Sequence, residues 1–345
     1  MRSYLVATAL LVATHLARAD GPLPDHAKHS IKTDIPLAVQ ARQAAERVIP
    51  YLERDGTAWI NDRKCLTCHY VAFMVWSLRD AQQSGLAVDK TRLAEWTDWS
   101  LDHAVGQGVE GPAQMLLARD REDKSEKTLK QIDSLCDAIV KNQDTEGFWK
   151  PGGQLPAQKR PITETTQVST MWCVLALGTL DQPNEKQTAS RDKALEWLRK
   201  TSPDGKYAAT SSEWYAARLL IERKFGNEQQ VESLRDTILA AQQPDGGWGW
   251  LWADKSDAFG TGLSLYALSE VGVPNTHPAI ERAWQFLIET QTGDGSWIVH
   301  GTKASTKDQP HPLTSFWGSA WASLGLSRSL PDVTGGSTCN AQALY

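Results

Sequence analysis

No stretch of this 345-residue chain reaches the roughly 18 consecutive apolar residues that a membrane-spanning helix needs. Lysine and arginine, 36 in all, do not outnumber the 41 aspartates and glutamates, so the chain lacks the basic surface by which proteins hold nucleic acid. A net charge of -5 reads first as a solvated acidic surface, and it also suits a basic protein partner. Alternating strand-like patterns are missing too, which leaves helices to carry the fold. Cysteine is scarce and odd in number, five, and two of the five, Cys65 and Cys68, share one short motif that needs its own explanation. Phenylalanine and tyrosine are few, 6 and 7, beside 15 tryptophans spread along the whole chain, so tryptophan is expected to have a repeated structural role.

The first residues read Met1-Arg2-Ser3-Tyr4, then apolar from Leu5 to Leu16, then Ala17-Arg18-Ala19. This is the pattern of a secretory signal peptide with an A-x-A cleavage site. Cleavage after Ala19 removes Arg2 and Arg18 and no acid, taking the formal charge from -5 to -7. No cysteine follows closely, so a lipid anchor has no attachment point there. The expected address is the periplasm or the cell exterior. Residues 20–38 read as an extension, 39–330 as the folded body and 331–345 as a tail.

Within the body, four segments share one plan: a helical apolar pattern, a turn rich in glycine and aspartate, then an aromatic residue. They are Thr128 to Trp149 (KNQDTEGFW), Lys193 to Tyr207 (RKTSPDGKY), Val231 to Trp248 (AAQQPDGGW) and Ile280 to Trp297 (ETQTGDGSW). Their aromatic residues fall 58, 41 and 49 positions apart, a spacing typical of stacked helical pairs. Each turn leads into a second helical segment rich in small and aromatic residues: Thr165–Leu180, Ser212–Phe225, Asp257–Val271 and Thr314–Leu326, with Cys65–Gln82 and Pro112–Asp120 as weaker earlier members. Ser211, Ser212, Asp257 and Thr314 are expected N-caps, because their oxygens can accept from free amide donors at a helix start. Six hairpins result. A lone hairpin cannot bury its apolar face, so the hairpins must form an open solenoid or a closed ring. Inner segments with Gly260, Gly262, Gly318 and Ser319, alternating with charged outer ones, favour the ring: an all-α α/α toroid, or α6/α6 barrel. Segment Gly301–Gln309 reads as a loop.

The turns AAQQPDGGWGW and ETQTGDGSW resemble the QW repeats of squalene-hopene cyclases and related prenyltransferase-like toroids, over about Val39 to Leu330. The resemblance implies a fold, and one toroid hosts unrelated chemistries. Class II cyclases protonate an alkene with the middle aspartate of D-x-D-D. The nearest counterpart here, Asp254-Lys255-Ser256-Asp257, has Ser256 where the acid should stand, and a hydroxyl is far too weak an acid for that step. A second acidic cluster, Asp120 to Asp123, reads as solvated. Trp76, Trp172, Trp214, Trp252, Trp317 and Trp321, with Asp257, are candidates to line a central cavity, where ring faces stabilise positive charge; the bland reading is simple core. Neither the zinc set of prenyl transferases nor the thioester of complement-like toroids is present.

Cys65-Leu66-Thr67-Cys68-His69 is C-x-x-C-H, the attachment sequence of c-type haem. Two thiols a turn apart add to the vinyl groups, and the adjacent histidine faces the iron as proximal ligand. A disulfide and a zinc site are the alternatives, the first without a thioredoxin-like pattern around it and the second without a local fourth ligand. The stretch WINDRKCLTCHYVAFMVWSL resembles exported bacterial toroid proteins of the squalene-cyclase-repeat class that carry this motif, which implies haem c set against Phe73, Met74 and Trp76. Met115, His103, His300 and His311 are candidates for the sixth iron ligand, while Met74 reads as packing. Cys136 and Cys173 either pair or lie buried. Three functions follow: an exported haem c toroid acting in electron transfer or sensing with a redox protein partner; an isoprenoid-binding or cyclase-like protein using the aromatic cavity; or a haem-free scaffold binding protein or glycan.

Overall fold

The computed structural model describes residues 35–63, 66, 70–106, 108–201, 209–306 and 309–331. Among them are twelve α-helices in two concentric layers. The outer layer holds α1 (Leu37–Arg63), α3 (Lys90–His103), α5 (Glu126–Lys141), α7 (Glu185–Thr201), α9 (Glu228–Ala240) and α11 (Pro278–Thr290). The inner layer holds α2 (Val71–Gln83), α4 (Glu110–Ala118), α6 (Ile162–Leu177), α8 (Ser212–Phe225), α10 (Ala258–Glu270) and α12 (Pro312–Ser329). Each inner helix packs on the inner helices before and after it; α12 packs on α1 and α2, and α11 on α1, so the ring closes. The protein is an α/α toroid. No helix among the described residues is long and apolar enough to cross a membrane.

Position in the ring explains composition. An inner helix has neighbours on every side, and α10 is buried continuously from Ala258 to Leu268. An outer helix is buried along one stripe: α5 buries only Thr128, Leu135, Cys136 and Ile139. Helices α10 and α12 meet backbone to backbone, because a methyl group at Gly262 would overlap the carbonyl of Trp321.

Three of the four turns share one geometry, while that of Lys200 to Tyr207 lies largely outside the described residues. In each, the tryptophan is buried and its indole N–H donates to a carbonyl ten residues earlier: Trp149 to Ile139 at 2.7 Å, Trp248 to Ile238 at 2.8 Å, Trp297 to Leu287 at 2.9 Å. Its backbone N–H donates to a hydroxyl of the next inner helix, Thr170, Thr261 or Ser319. A glutamine at the start of the turn bridges to the next outer helix or its cap. Gln143 Nε2 donates to Ser190 O, Gln242 Nε2 to Ala279 O and Gln291 Nε2 to Ala44 O, at 2.8, 2.8 and 2.9 Å. The last of these joins the end of α11 to α1 and so belongs to ring closure. The turn glycines have positive φ, 108° at Gly147, 89° at Gly246 and 87° at Gly295, a conformation that disfavours side chains.

Ser211 and Asp257 are N-caps, accepting from Trp214 N and Gly260 N. Ser212 and Thr314 are not: Ser212 is already helical and donates to Gly249 O at 2.7 Å, and α12 starts earlier, with Pro312 at its first position. Helix α6 likewise starts at Ile162, directly after Pro161, and α2 at Val71, past the cysteine motif. Met74 packs beneath α1 against Gly56. Cys136 and Cys173 are free, buried thiols; burial pushes Cys136 up to about 12 and Cys173 well above the usual range.

Candidate functional site in the ring centre

Successive helices run antiparallel, so the six inner helices are parallel and their N-termini share one end of the ring. The long connections gather there. Lys159 N–H donates to Thr302 O, Ser212 N–H to Trp250 O and Trp252 N–H to Thr210 O, each at 2.9 Å, and Lys159 pairs with Asp254. These bonds bind the α5–α6, α7–α8, α9–α10 and α11–α12 connections into a mouth.

Below the mouth, aromatic rings from three inner helices converge: Phe73 and Trp76 of α2, Trp172 of α6, Trp317 and Trp321 of α12. Trp76 and Trp321 stand 5.4 Å apart between centroids, Trp172 and Trp321 5.7 Å, and Phe73 and Trp317 5.9 Å. The rings nearly fill the centre. The space left is about 30 Å³, room for a water or two.

The polar side of this space comes from the first turns of α4, α6 and α8. Arg160 and Glu213, both buried, pair at 2.8 Å, and Glu213 also accepts the Trp172 indole N–H at 3.2 Å. Arg160 Nη1 lies 3.2 Å from Ser211 Oγ, and the guanidinium sits 5.4 Å from the Trp250 ring. Glu164, fully buried, accepts from Thr210 N, Thr210 Oγ1 and Ser211 N at 2.9 Å, and from Ser211 Oγ. It holds the start of α8 in place and leaves Arg160 to Glu213. Glu110 Oε1 accepts from Gly152 N at 2.8 Å and Ser169 Oγ at 3.4 Å. Acidic groups suit this end, because helix N-termini carry partial positive charge.

Trp76, Trp172, Trp317 and Trp321 therefore line the centre. Three other expected lining residues do not. Trp214 donates to Gln167 Oε1 at 2.8 Å, and Trp252 lies flat on Tyr215, 3.8 Å between centroids, donating to Ser212 Oγ. The first turn of α8 uses both rings as packing. Asp257 is taken up in capping α10, its carboxylate accepting Gly260 N at 2.7 Å and Trp250 N at 3.0 Å; burial pushes it up to about 6 against the lowering effect of those bonds. Ser256, which stands between Asp254 and Asp257 in the sequence, donates to Asp245 Oδ1 at 2.7 Å.

Cys65, Cys68 and His69 lie outside the described residues. Beside them, Leu66 is fully buried, and Tyr70 is stacked between Trp59 and Phe316 at 4.3 Å from each. Of the sixth-ligand candidates, Met115 is wholly buried in α4 and does not line the centre. His103 stacks on Trp99 with Nδ1 at 2.7 Å from Trp99 O. His300 is exposed at the mouth, and His311 precedes α12 with its Nδ1 buried and unbonded. Glu110, Gln114, Arg160, Glu213 and Cys173 also line the space, with Ala113, Leu155, Val168 and Ser169 among them; in the sequence their trace is acids at inner-helix starts.

No family model matches the chain. Over 75 residues, 22% of the chain, it is 35% identical to copalyl diphosphate synthase from Streptomyces anulatus, a match that spans only 14% of that enzyme. The type II terpene cyclase MstE from Scytonema, solved with geranylgeranyl dihydroxybenzoate, superposes with a TM-score of 0.52 at 11% identity, covering 86% of this chain and 99% of that one. The scaffold is terpene cyclase-like. It is also shared more widely: an unsaturated glucuronyl hydrolase from Streptococcus agalactiae gives a TM-score of 0.57 at 12% identity, covering 86% and 93% of the two chains. Likeness at such identities shows the fold alone.

Proposed function

We propose that this terpene cyclase-like toroid binds an apolar, isoprenoid-type ligand through its mouth and performs no class II protonation. The observation that carries the reading is the convergence of five aromatic rings, from α2, α6 and α12, on one central space opening toward the inner-helix N-termini. The proton-donor position is occupied by Ser256, which donates to Asp245. Because the rings nearly fill the centre, a ligand with a long apolar body must displace a tryptophan or lie partly in the mouth. The test is titration with farnesol and geranylgeraniol, followed by intrinsic tryptophan fluorescence and by alkylation of Cys173, which lines the space. Saturable quenching at micromolar ligand with slowed alkylation is expected. Unchanged fluorescence and alkylation overturn the reading.

A second reading rests on a separate observation, the C-x-x-C-H pentad directly before α2. We propose that Cys65 and Cys68 hold haem c, with His69 on the iron, in a protein exported through the leader that ends near Ala19. The haem would supply electron transfer to a redox protein partner or ligand sensing. A pyridine haemochrome spectrum of protein matured in a haem c competent host tests it. A haem band that resists acid-acetone extraction is expected, and free or oxidised thiols without haem overturn it.

A further inference from the structure

The polar lining of the central space divides into groups that have partners and atoms that have none. The Trp172 indole N–H and the Arg160 guanidinium are both taken by Glu213, at 3.2 and 2.8 Å. Ser169 Oγ donates to Glu110 at 3.4 Å. Three further atoms on lining side chains are buried without a hydrogen-bond partner: the indole nitrogens of Trp76 and Trp321, which are donors, and Gln114 Oε1, an acceptor. Trp76 and Trp321 are neighbours, 5.4 Å between centroids. Gln114 belongs to α4, which packs on α2, the helix of Trp76. A buried donor or acceptor left unmatched costs free energy, so such atoms call for a partner. Two donors and one acceptor are the complement of a hydroxyl, which accepts through two lone pairs and donates one hydrogen.

We infer that the ring centre takes the hydroxyl of a neutral alcohol: its oxygen accepts from Trp76 Nε1 and Trp321 Nε1, and its hydrogen goes to Gln114 Oε1. This deepens the apolar-ligand reading and rests on it, naming the head group of that ligand. A space of about 30 Å³ suits a group the size of a water molecule. An ammonium offers no acceptor to the two indole donors. A carboxylate offers no donor to Gln114 Oε1, and the guanidinium it would seek is already paired with Glu213. An ether matches the donors and leaves Gln114 Oε1 unmatched. The bland assignment, a water held there permanently, satisfies the same atoms but gives a ligand no reason to carry a hydroxyl, and the experiment separates the two.

The test is calorimetric titration of the whole protein with n-octanol and its isomer heptyl methyl ether, beside n-octylammonium and n-octanoate, with Cys173 alkylation as a second readout. Octanol is expected to bind at least about tenfold tighter than the ether, and tighter than either charged ligand. Gln114→Leu should bring octanol down to the affinity of the ether and leave the ether unchanged. If that variant does not fold, Trp321→Phe keeps a ring, removes one donor and should weaken octanol and the ether alike. A preference for octanol that the variant leaves at full strength, with neither ligand weakened, overturns the assignment. Ether, ammonium or carboxylate binding as tightly as octanol, with slowed alkylation, overturns the hydroxyl inference and leaves the apolar reading standing. Failure of every ligand to bind or to protect Cys173 overturns both.

Discussion

Single side chains set the start of each inner helix, and the two most informative are acids with different roles. Glu164 is fully buried and accepts from two backbone amides and two hydroxyls, using both of its oxygens. Glu164→Gln presents an NH2 to some of these donors, and it should cost about 2 kcal/mol in urea unfolding. An unchanged midpoint would show that the carboxylate is not what holds α8. Asp257 has the opposite balance: burial raises it from 3.8 to about 6. The folded protein therefore binds a proton that the unfolded chain has released between those values. Stability falls as pH rises from about 4 to about 6, and the cost remains above that window. Asn keeps the cap and lacks the charge, so Asp257→Asn should be more stable than the parent by about 1 kcal/mol at pH 7 to 8 and no more stable at pH 4. Melting temperatures across that range decide it. At this scale the sequence was partly readable: Ser211 and Asp257 stood out as caps by residue type, whereas Arg160 and Glu164 look like ordinary charged residues until the fold buries them.

At the scale of the helix and turn, the legible features are those written locally. The Gln-Gly-Trp turns could be read because every member lies within a few residues of the others, and they locate the outer-to-inner connections of the later hairpins. Helices α1 and α3 lead into connections without such a turn, and nothing local marks them as outer helices. A glycine outside these turns, in the α10–α11 connection, supplies a controlled comparison with one inside them. Gly272 and Gly295 have similar φ, 80° and 87°, but a Cβ at Gly272 meets nothing within 4 Å, whereas one at Gly295 overlaps the carbonyl of Arg47 in α1. Gly272→Ala should cost about 1 kcal/mol, the left-handed strain alone. Gly295→Ala should cost about 3 kcal/mol, because it also pushes the α11–α12 turn off α1 and strains the Gln291 bridge to Ala44. Equal losses in chemical denaturation would mean that this turn does not tie the ring.

Over the whole molecule, the parallel inner helices give the toroid a polarity that no single segment shows. Acids, Glu110, Glu164, Glu213 and Asp257, sit at inner-helix N-termini. At the opposite ends are Arg119, whose guanidinium donates to Thr179, and Arg328, bases that helix dipoles favour there; the acids at those ends, Asp80 and Glu270, are paired with Arg328 at 2.7 and 3.5 Å. The central lining is assembled from residues up to about 250 positions apart, which is why the sequence could suggest an aromatic centre yet misplace Trp214 and Trp252 in it. Ring closure is the condition for that assembly. The Asp80–Arg328 pair ties α2 to α12, the two helices that carry Phe73, Trp76, Trp317 and Trp321. Because Arg328 also pairs with the buried Glu270 of α10 at 3.5 Å, Asp80→Asn breaks the tie across the seam without stranding the guanidinium, and it should cost about 2 kcal/mol. Because the seam and the aromatic centre share two helices, this variant should also alkylate faster at Cys173 at temperatures below its unfolding transition. Glu164→Gln, which weakens α8, a helix that supplies no ring to the centre, is the control. If Asp80→Asn loses stability while the Cys173 rate stays at the parent value, closure of the ring and integrity of the site are separate properties.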